Sequence, residues 1–307
     1  MTKDNSRGYE AFSSGAALVR RADVGRLLVT GADRRTYLQG LLTNDIAALT
    51  PGTGCYAAML NAQGRMMSDM YVDELGDAVL LRVPIALTTH VRDHLERFVF
   101  SEDVQVADVT AQQVQLGLYG PRATDTAAAV GRARRLAIED LDGQSLLVAD
   151  GEVDAVAAEL LAAGAAAATL DDFEIARIEA GLPRFGVDMD TDTIPLEAGI
   201  EDRAISRTKG CYVGQEVIIR VLDRGHGRVA KRLVRLEFDA GAPVPVHGAV
   251  VRSGDRDVGR VTSAAFSPRL DRVVALAYLH RDFTSAGVEL SDHGTRATVC
   301  VTPSSSE

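Results

Sequence analysis

The sequence predicts an α+β protein whose chain ends in a small β-barrel. Three observations carry that prediction. Pairs of strand-like runs alternate with single helix-like runs through the first two-thirds of the chain, the texture of split βαβ units. From Lys231 onward the pattern changes to short strands punctuated by glycine, as in small barrels. The composition, 46% apolar and 25% charged over 307 residues, supports a sizeable core and a length of about two domains. The expected division is an α+β body over 1–228 and a β-barrel over 229–307.

Residues 1–21 are polar and lack an uninterrupted apolar run, and no stretch of about 18 residues escapes charge. Neither a signal peptide nor a membrane span is expected, and the cytoplasm is the expected location. A strand is expected over 26–31. A helix follows over 33–49, where Leu38, Leu41, Leu42 and Ile46 recur at helical spacing up to Thr50-Pro51-Gly52. Strands over 55–60, 66–75 and 78–83, joined by Asn61-Ala62-Gln63-Gly64 and Gly76-Asp77, read as a β-meander. A helix is expected over 85–100, then strands over 104–109 and 114–119, and an alanine-rich helix near 124–135. A strand over 145–149 and a helix over 153–163 follow, and the alanine run over 160–170 reads as a helix end plus connector. Barrel strands are expected over 233–238, 249–251, 258–265, 273–278 and 297–301.

A net charge of −10 and a pI near 5.2 repel a polyphosphate backbone, so a broad nucleic-acid footprint is disfavoured. Only Lys3, Lys209 and Lys231 are lysines among the basic residues, and the arginine and alanine excess suits a GC-rich bacterial genome. Cys55, Cys211 and Cys300 are odd in number and far apart, with no C-x-x-C. They spell neither a disulfide framework nor a zinc or iron–sulfur ligand set, and no metal site is expected. His90 and His94 have metal-clamp spacing without the glutamate of H-E-x-x-H. Gly52-x-Gly54 precedes a strand and lacks the third glycine of a dinucleotide loop, and no P-loop or G-x-S-x-G occurs.

Two segments are dense in chemistry. In Lys209-Gly210-Cys211-Tyr212-Val213-Gly214-Gln215-Glu216, Val217, Ile218, Val221 and Leu222 continue at helical spacing, which starts a helix near Gly214. The β-branched Val217-Ile218-Ile219 makes a strand the alternative. On the helical reading, Cys211 just before a helix N-terminus and beside Lys209 would carry a depressed pKa; a buried, inert thiol is the other reading. The second segment is a helix from Asp171, with Glu174 at capping distance and Ile175, Ile178 and Leu182 on its apolar face. It stops at Gly181 and Pro183. Glu179 then sits in the last turn, opposed to the helix dipole. Either it is exposed and tolerated at about 0.3 to 1 kcal/mol, or it has a cationic or donor partner.

At these segments the chain resembles the YgfZ family of folate-binding proteins, relatives of the glycine-cleavage T-protein, a tetrahydrofolate-dependent aminomethyltransferase. KGCYVGQE (209–216) looks like the signature of that family. LQGLLTNDI (38–46), LNAQGRMMSD (60–69), RIEAGLPRFGVDMD (177–190), GRVTSAAFSP (259–268) and VALAYLHRD (274–282) follow in family order. The resemblance implies a three-lobed, T-protein-like cloverleaf of split βαβ (ferredoxin-like) lobes and a barrel, with folate in the central hole. It makes Glu179 the pterin ligand, because a carboxylate accepts both parallel N–H donors of the pterin edge. Arg184, Arg220 and Arg228 flank the two motifs and suit the anionic glutamate tail. Cys211, Asp69 and Lys209 are the expected reactive groups. Where T-proteins carry Gly-Gly-x-x-Asp-Asp, this chain reads Gly64-Arg65-Met66-Met67-Ser68-Asp69, so one acidic position is Ser68. T-proteins also lack the cysteine of KGCYVGQE.

The resemblance therefore implies a tetrahydrofolate-binding accessory protein for iron–sulfur cluster assembly or repair, akin to the mitochondrial assembly factor. Its partners would be client or assembly proteins, including tRNA-modifying enzymes, with no direct nucleic-acid or membrane contact. The alternative is a folate-dependent aminomethyltransferase or demethylase using Asp69.

Overall fold

A computed structural model describes residues 3–137, 141–225, 227–292 and 294–300 of the chain. These residues divide into two compact units. Unit 1 takes the described residues of Met1–Asn61, Met67–Phe173 and Arg203–Val213; unit 2 takes those of Ala62–Met66, Glu174–Asp202 and Gly214–Glu307.

Unit 1 carries two five-stranded sheets. One contains β1 (Ala17–Arg20), β7 (Gln113–Tyr119), β8 (Arg134–Arg135), β9 (Gly143–Ala149) and β10 (Ala166–Ala168) in the order β10-β1-β7-β9-β8, with β1 and β10 parallel. The other contains β2 (Val24–Thr30), β3 (Gly54–Leu60), β4 (Met66–Glu74), β5 (Val79–Pro84) and β6 (Gln105–Asp108) in the order β3-β4-β5-β2-β6. The helices are α1 (Lys3–Ser14), α2 (Arg34–Leu41), α3 (Thr88–Arg97), α4 (Ala123–Ala127) and α5 (Val153–Ala162), and α6 (Leu170–Glu179) starts in this unit.

Strand alternation explains both cores. Leu27 and Val29, Met70 and Val72, and Val79, Leu81 and Val83 point to one face of the second sheet. There they meet Leu38 of α2 and Val91 and Leu95 of α3. On the first sheet, Leu116, Leu118, Leu146 and Val148 meet α4 and α5 through Ala123, Ala127, Val156 and Leu160. The opposite face of the second sheet holds a buried ion pair. Arg82 Nε donates to Asp73 Oδ2 at 2.8 Å, and the other Asp73 oxygen accepts from the Ala137 amide at 2.7 Å.

Unit 2 is built on a closed barrel of β11 (Lys231–Phe238), β12 (Val250–Ser253), β13 (Arg256–Ser267), β14 (Arg272–His280), β15 (Glu289–Asp292) and β16 (Thr295–Cys300). Its order is β11-β14-β13-β12-β15-β16. Leu236, Val251, Val261, Ala275, Ala277, Leu279 and Val299 fill the interior. The alternate residues Leu233, Val274 and Leu276 receive Ile178 of α6 on the outer face. α7 (Pro195–Ala198), α8 (Glu201–Ala204) and α9 (Gln215–Ile219) complete the helices, and a π-helical turn, Arg220–Arg224, extends α9. Among the described residues no helix is long and apolar enough to cross a membrane.

Several expected elements differ. α2 ends at Leu41 rather than 49, because the next residues are drawn into tertiary bonds: Thr43 Oγ1 donates to Ala204 O at 2.6 Å, and Asn44 Nδ2 to Tyr56 O and Arg203 O at 2.8 Å each. The alanine-rich helix near 124–135 is only the short α4, since Arg134–Arg135 pair with β9 instead. The connector expected over 160–170 contains β10, and α1, β1 and β15 were not anticipated. The cap of α6 is Thr169 with Asp172, each side chain bonding the backbone amide of the other at 3.1 and 2.8 Å; Glu174, expected as the capping acid, bonds Arg177 instead.

Candidate folate site

In unit 1, the octapeptide lysine is a structural clamp. Lys209 Nζ donates to the carbonyls of Gln39 (2.6 Å), Leu42 (2.6 Å) and Asn44 (2.9 Å), so its three protons meet acceptors at and just beyond the C-terminus of α2. The ammonium also lies 5.1 Å from the Tyr212 ring centre. Burial lowers its pKa to about 8, with Asp45 and Cys55 pulling the other way. The expectation that Lys209 lends its charge to Cys211 is corrected here: the charge is spent on α2 carbonyls and is felt by Cys55.

Cys211 itself is free and exposed, which removes the inert, buried reading. The helix it precedes starts at Gln215, capped by Gly214 with φ of +81°. Glycine is the residue that adopts this left-handed cap without strain. Cys55 is the opposite case: burial, and then Asp73, push its thiol up to about 12. Burial also raises the Cys300 thiol. Alkylation at neutral pH followed by mass spectrometry should therefore modify Cys211 first and Cys55 last. Equal rates at Cys211 and Cys55 would contradict this placement.

Asp69, on β4, is half-buried, and its Oδ2 accepts the Tyr56 hydroxyl at 2.7 Å. The Arg203 guanidinium lies 4.6 Å from the Tyr56 ring centre, and the Tyr56 and Tyr71 ring centres are 5.2 Å apart. Ser68, at the position acidic in T-proteins, is fully buried and donates to the Asp69 carbonyl at 2.9 Å. The Asp69 carboxylate is thus held by a tyrosine. Tyr56 and Arg203 escaped the sequence analysis. Tyr56, in the expected strand over 55–60, was the more accessible of the two, whereas nothing local marks Arg203.

In unit 2, Glu179 closes α6 with its side chain only 8% exposed. Ser267 Oγ donates to its Oε1, and Arg269 donates to its Oε2 through Nη2 at 3.0 Å and Nε at 3.2 Å. Arg235 Nη1 donates to the Glu179 carbonyl at 2.8 Å, a cation where the dipole favours one. The dipole-opposed carboxylate therefore has donor and cationic partners, the second of the two readings above.

Beside it, Arg177, 2% exposed, ties α6 to the loop after it. It bonds Glu174 through Nε and Nη2, Leu182 O at 3.0 Å, Asp188 Oδ2 at 2.5 Å and Ser263 Oγ of β13 at 2.7 Å. Asp188 also accepts from Thr262, Ser263 and the Arg184 amide. The motif at 177–190 thus supplies a buried brace, Arg177 with Asp188, that ties α6 to the following loop and to β13, which the sequence analysis did not resolve.

The three arginines expected at the glutamate tail all lie in unit 2. Arg184 is half-exposed and 3.6 Å from Glu174; Arg220 is exposed and pairs with Glu216 at 2.6 Å; Arg228 is exposed. Gly64 turns the chain between β3 and β4 at φ +73°, and a Cβ there would fall 2.9 Å from Val217 Cβ, so glycine is sterically required at this position. Among the described residues no group of three or more His, Cys, Asp or Glu side chains could hold a metal.

Two family domains match the chain: the GCVT N-terminal domain over residues 2–142 and the glycine cleavage T-protein C-terminal barrel domain over residues 231–304. An aminomethyltransferase of Rubrobacter xylanophilus is 32% identical, the match covering 92% of this chain and 80% of that protein. One of Thermus thermophilus is 31% identical over 83% of this chain and 77% of its own length. The crystal structure of aminomethyltransferase T of the glycine cleavage system from Bartonella henselae superposes with a TM-score of 0.84. It covers 97% of this chain and 88% of its own at 22% identity, so it establishes the fold. With both domain matches in order and a relative above 30% identity along most of its length, this chain belongs to the glycine-cleavage T-protein (aminomethyltransferase) family.

Proposed function

We propose that the chain is a tetrahydrofolate-binding protein of the YgfZ-like branch that supports assembly or repair of iron–sulfur clusters in client enzymes. The observation that carries this reading is the exposed, free Cys211 within KGCYVGQE, a residue that aminomethyl transfer does not call for. Any cluster contact through Cys211 is then shared with a partner protein, because a single thiolate cannot complete a cluster ligand set. Glu179 receives the pterin edge, and one or more of Arg184, Arg220 and Arg228 meets the tail carboxylates. Lys209 shapes the loop that presents Cys211, and Asp69 is the polar group nearest to one-carbon chemistry. The body over 1–228 and the barrel over 229–307 remain the proposed domains.

The second reading is folate-dependent aminomethyl transfer or demethylation, with the Asp69 carboxylate polarising the folate nitrogen. The names of the relatives favour it, and Ser68 in place of an acid weighs against it. A deletion strain assayed in parallel for several iron–sulfur enzymes and for glycine cleavage separates the two. The accessory reading expects the iron–sulfur activities to fall, restored by wild type and not by Cys211→Ala. Loss of glycine cleavage alone, restored by Cys211→Ala, selects the second reading.

A further inference from the structure

The geometry points to a second ligand site on the outer wall of the barrel, one that takes a small organic anion, a carboxylate or phosphate group on an apolar body. It is independent of the folate reading, because it uses none of the residues assigned there. A cavity of about 630 Å³ opens in unit 2, within the range of roughly 300 to 1,000 Å³ usual for small-molecule sites. Strand alternation builds it. Val274, Leu276, Tyr278 and His280 share the outer face of β14; Ile178 of α6 packs with the first two, and the last two line the cavity. The neighbouring strands supply the charge. Lys231 of β11 pairs in register with His280, Arg260 of β13 with Tyr278, and Val250 of β12 with Arg260. Tyr278 therefore lies between two cations, with a valine beyond.

The sign of the ligand follows from which charges are already paired. Arg260 is exposed; its Nη1 donates to the Gly248 carbonyl at 3.1 Å, and among the described residues no carboxylate pairs with it. Lys231 is 46% exposed. Its ammonium lies 4.8 Å from the Tyr278 ring centre and 3.9 Å from Glu197 Oε2, too far for a hydrogen bond. Of the two acids that line the cavity, Asp257 is bound to Arg252 at 2.7 Å and Glu197 is only 15% exposed. Two incompletely paired cations are thus set against one recessed carboxylate. The arginine offers a planar fork that matches a carboxylate or phosphate, and the lysine adds a point charge. Tyr278 and Val250 offer contact to an apolar body.

Calorimetric titration of the full chain with phenyl phosphate and with benzoate tests the site, and the tighter of the two identifies the headgroup. At least one should bind, more tightly than inorganic phosphate, which lacks the apolar body, and benzylamine should not bind. Arg260→Met and Lys231→Met should each weaken the aryl anion about three- to tenfold, the loss of one charge-assisted contact in a half-exposed setting. Glu197→Gln should strengthen it about twofold or more, because the one acid beside Lys231 loses its charge. Tetrahydrofolate affinity should not change in Arg260→Met. Thermal unfolding checks that each variant folds, and Arg260, exposed on its strand, is the substitution least able to disturb the barrel. Binding of neither aryl anion, unchanged affinity in both cation variants, or weaker binding in Glu197→Gln overturns the site. Preference for benzylamine, or inorganic phosphate binding as tightly as phenyl phosphate, overturns the ligand class. A parallel loss of tetrahydrofolate affinity in Arg260→Met overturns its independence from the folate site.

Discussion

Asp188→Ala is expected to be the most damaging single substitution in the chain, costing about 3 to 5 kcal/mol, the scale of a broken buried ion pair. The Asp188 side chain is fully buried and accepts from Arg177, Thr262, Ser263 and the Arg184 amide. Its removal leaves the Arg177 guanidinium, also buried, with one carboxylate fewer and takes the acceptor from the Ser263 hydroxyl and the Arg184 amide, while Thr262 retains the Leu276 carbonyl. Urea unfolding should show a lowered midpoint. Asp188→Asn, which keeps acceptor capacity and shape, should lose less. The double replacement Arg177→Met, Asp188→Leu should recover part of the loss, because removing both charges removes the desolvation cost as well. A midpoint for Asp188→Ala within error of wild type would show that the brace does not hold this segment.

Lys209→Met should come next, at about 2 to 4 kcal/mol. It keeps the apolar stem and removes the donors to three carbonyls; the gain from those charged hydrogen bonds, about 1.5 to 3 kcal/mol each, is offset in part by the desolvation of the buried ammonium that also lowers its pKa. Its pH signature has a definite sign. The folded pKa, about 8, lies below the unfolded value of 10.5. Between them the unfolded chain holds more protons, so the Lys209 contribution makes stability rise with pH there, at up to about 1.4 kcal/mol per pH unit. Cys55 acts oppositely from about pH 9, since its folded thiol keeps the proton the unfolded one loses. The difference between wild type and Lys209→Met between pH 8 and 9 is therefore the clean readout. Parallel curves for the two proteins over that interval would contradict the clamp's titration.

The elements legible in the sequence are those whose side chains report their own environment. The meander of β3, β4 and β5 is built of apolar-rich runs bounded by turn residues, and so are the barrel strands from β11 to β14 and β16. β15 is short and reads Glu-Leu-Ser-Asp, with too little apolar alternation to be seen. β10 is three alanines that pair with β1 only because tertiary contact brings them there. The helical pattern over 33–49 is real in Leu38, Leu42 and Ile46, all buried in one core, but the backbone leaves the helix to satisfy contacts with residues near 204, which no local pattern encodes.

The candidate site divides in the same way. Glu179 is visible as an acid in the wrong place on its helix, and its motif names it. Arg269 and Ser267 lie about 90 residues away in sequence, so their arrival at that carboxylate is a product of the barrel's packing on α6. Lys209 was legible as a notable residue, though not as a clamp. Proximity in sequence suggested Cys211 as its partner, whereas the fold turns it to the end of α2.

Folate recognition through Glu179 is the central claim, and calorimetric titration of the full chain with tetrahydrofolate tests it most directly. Wild type should bind, and Glu179→Gln, which turns one acceptor oxygen into a donor facing a donor, should bind about 1 to 3 kcal/mol more weakly. No binding by the folded wild-type chain, or equal affinity in the variant, would contradict it.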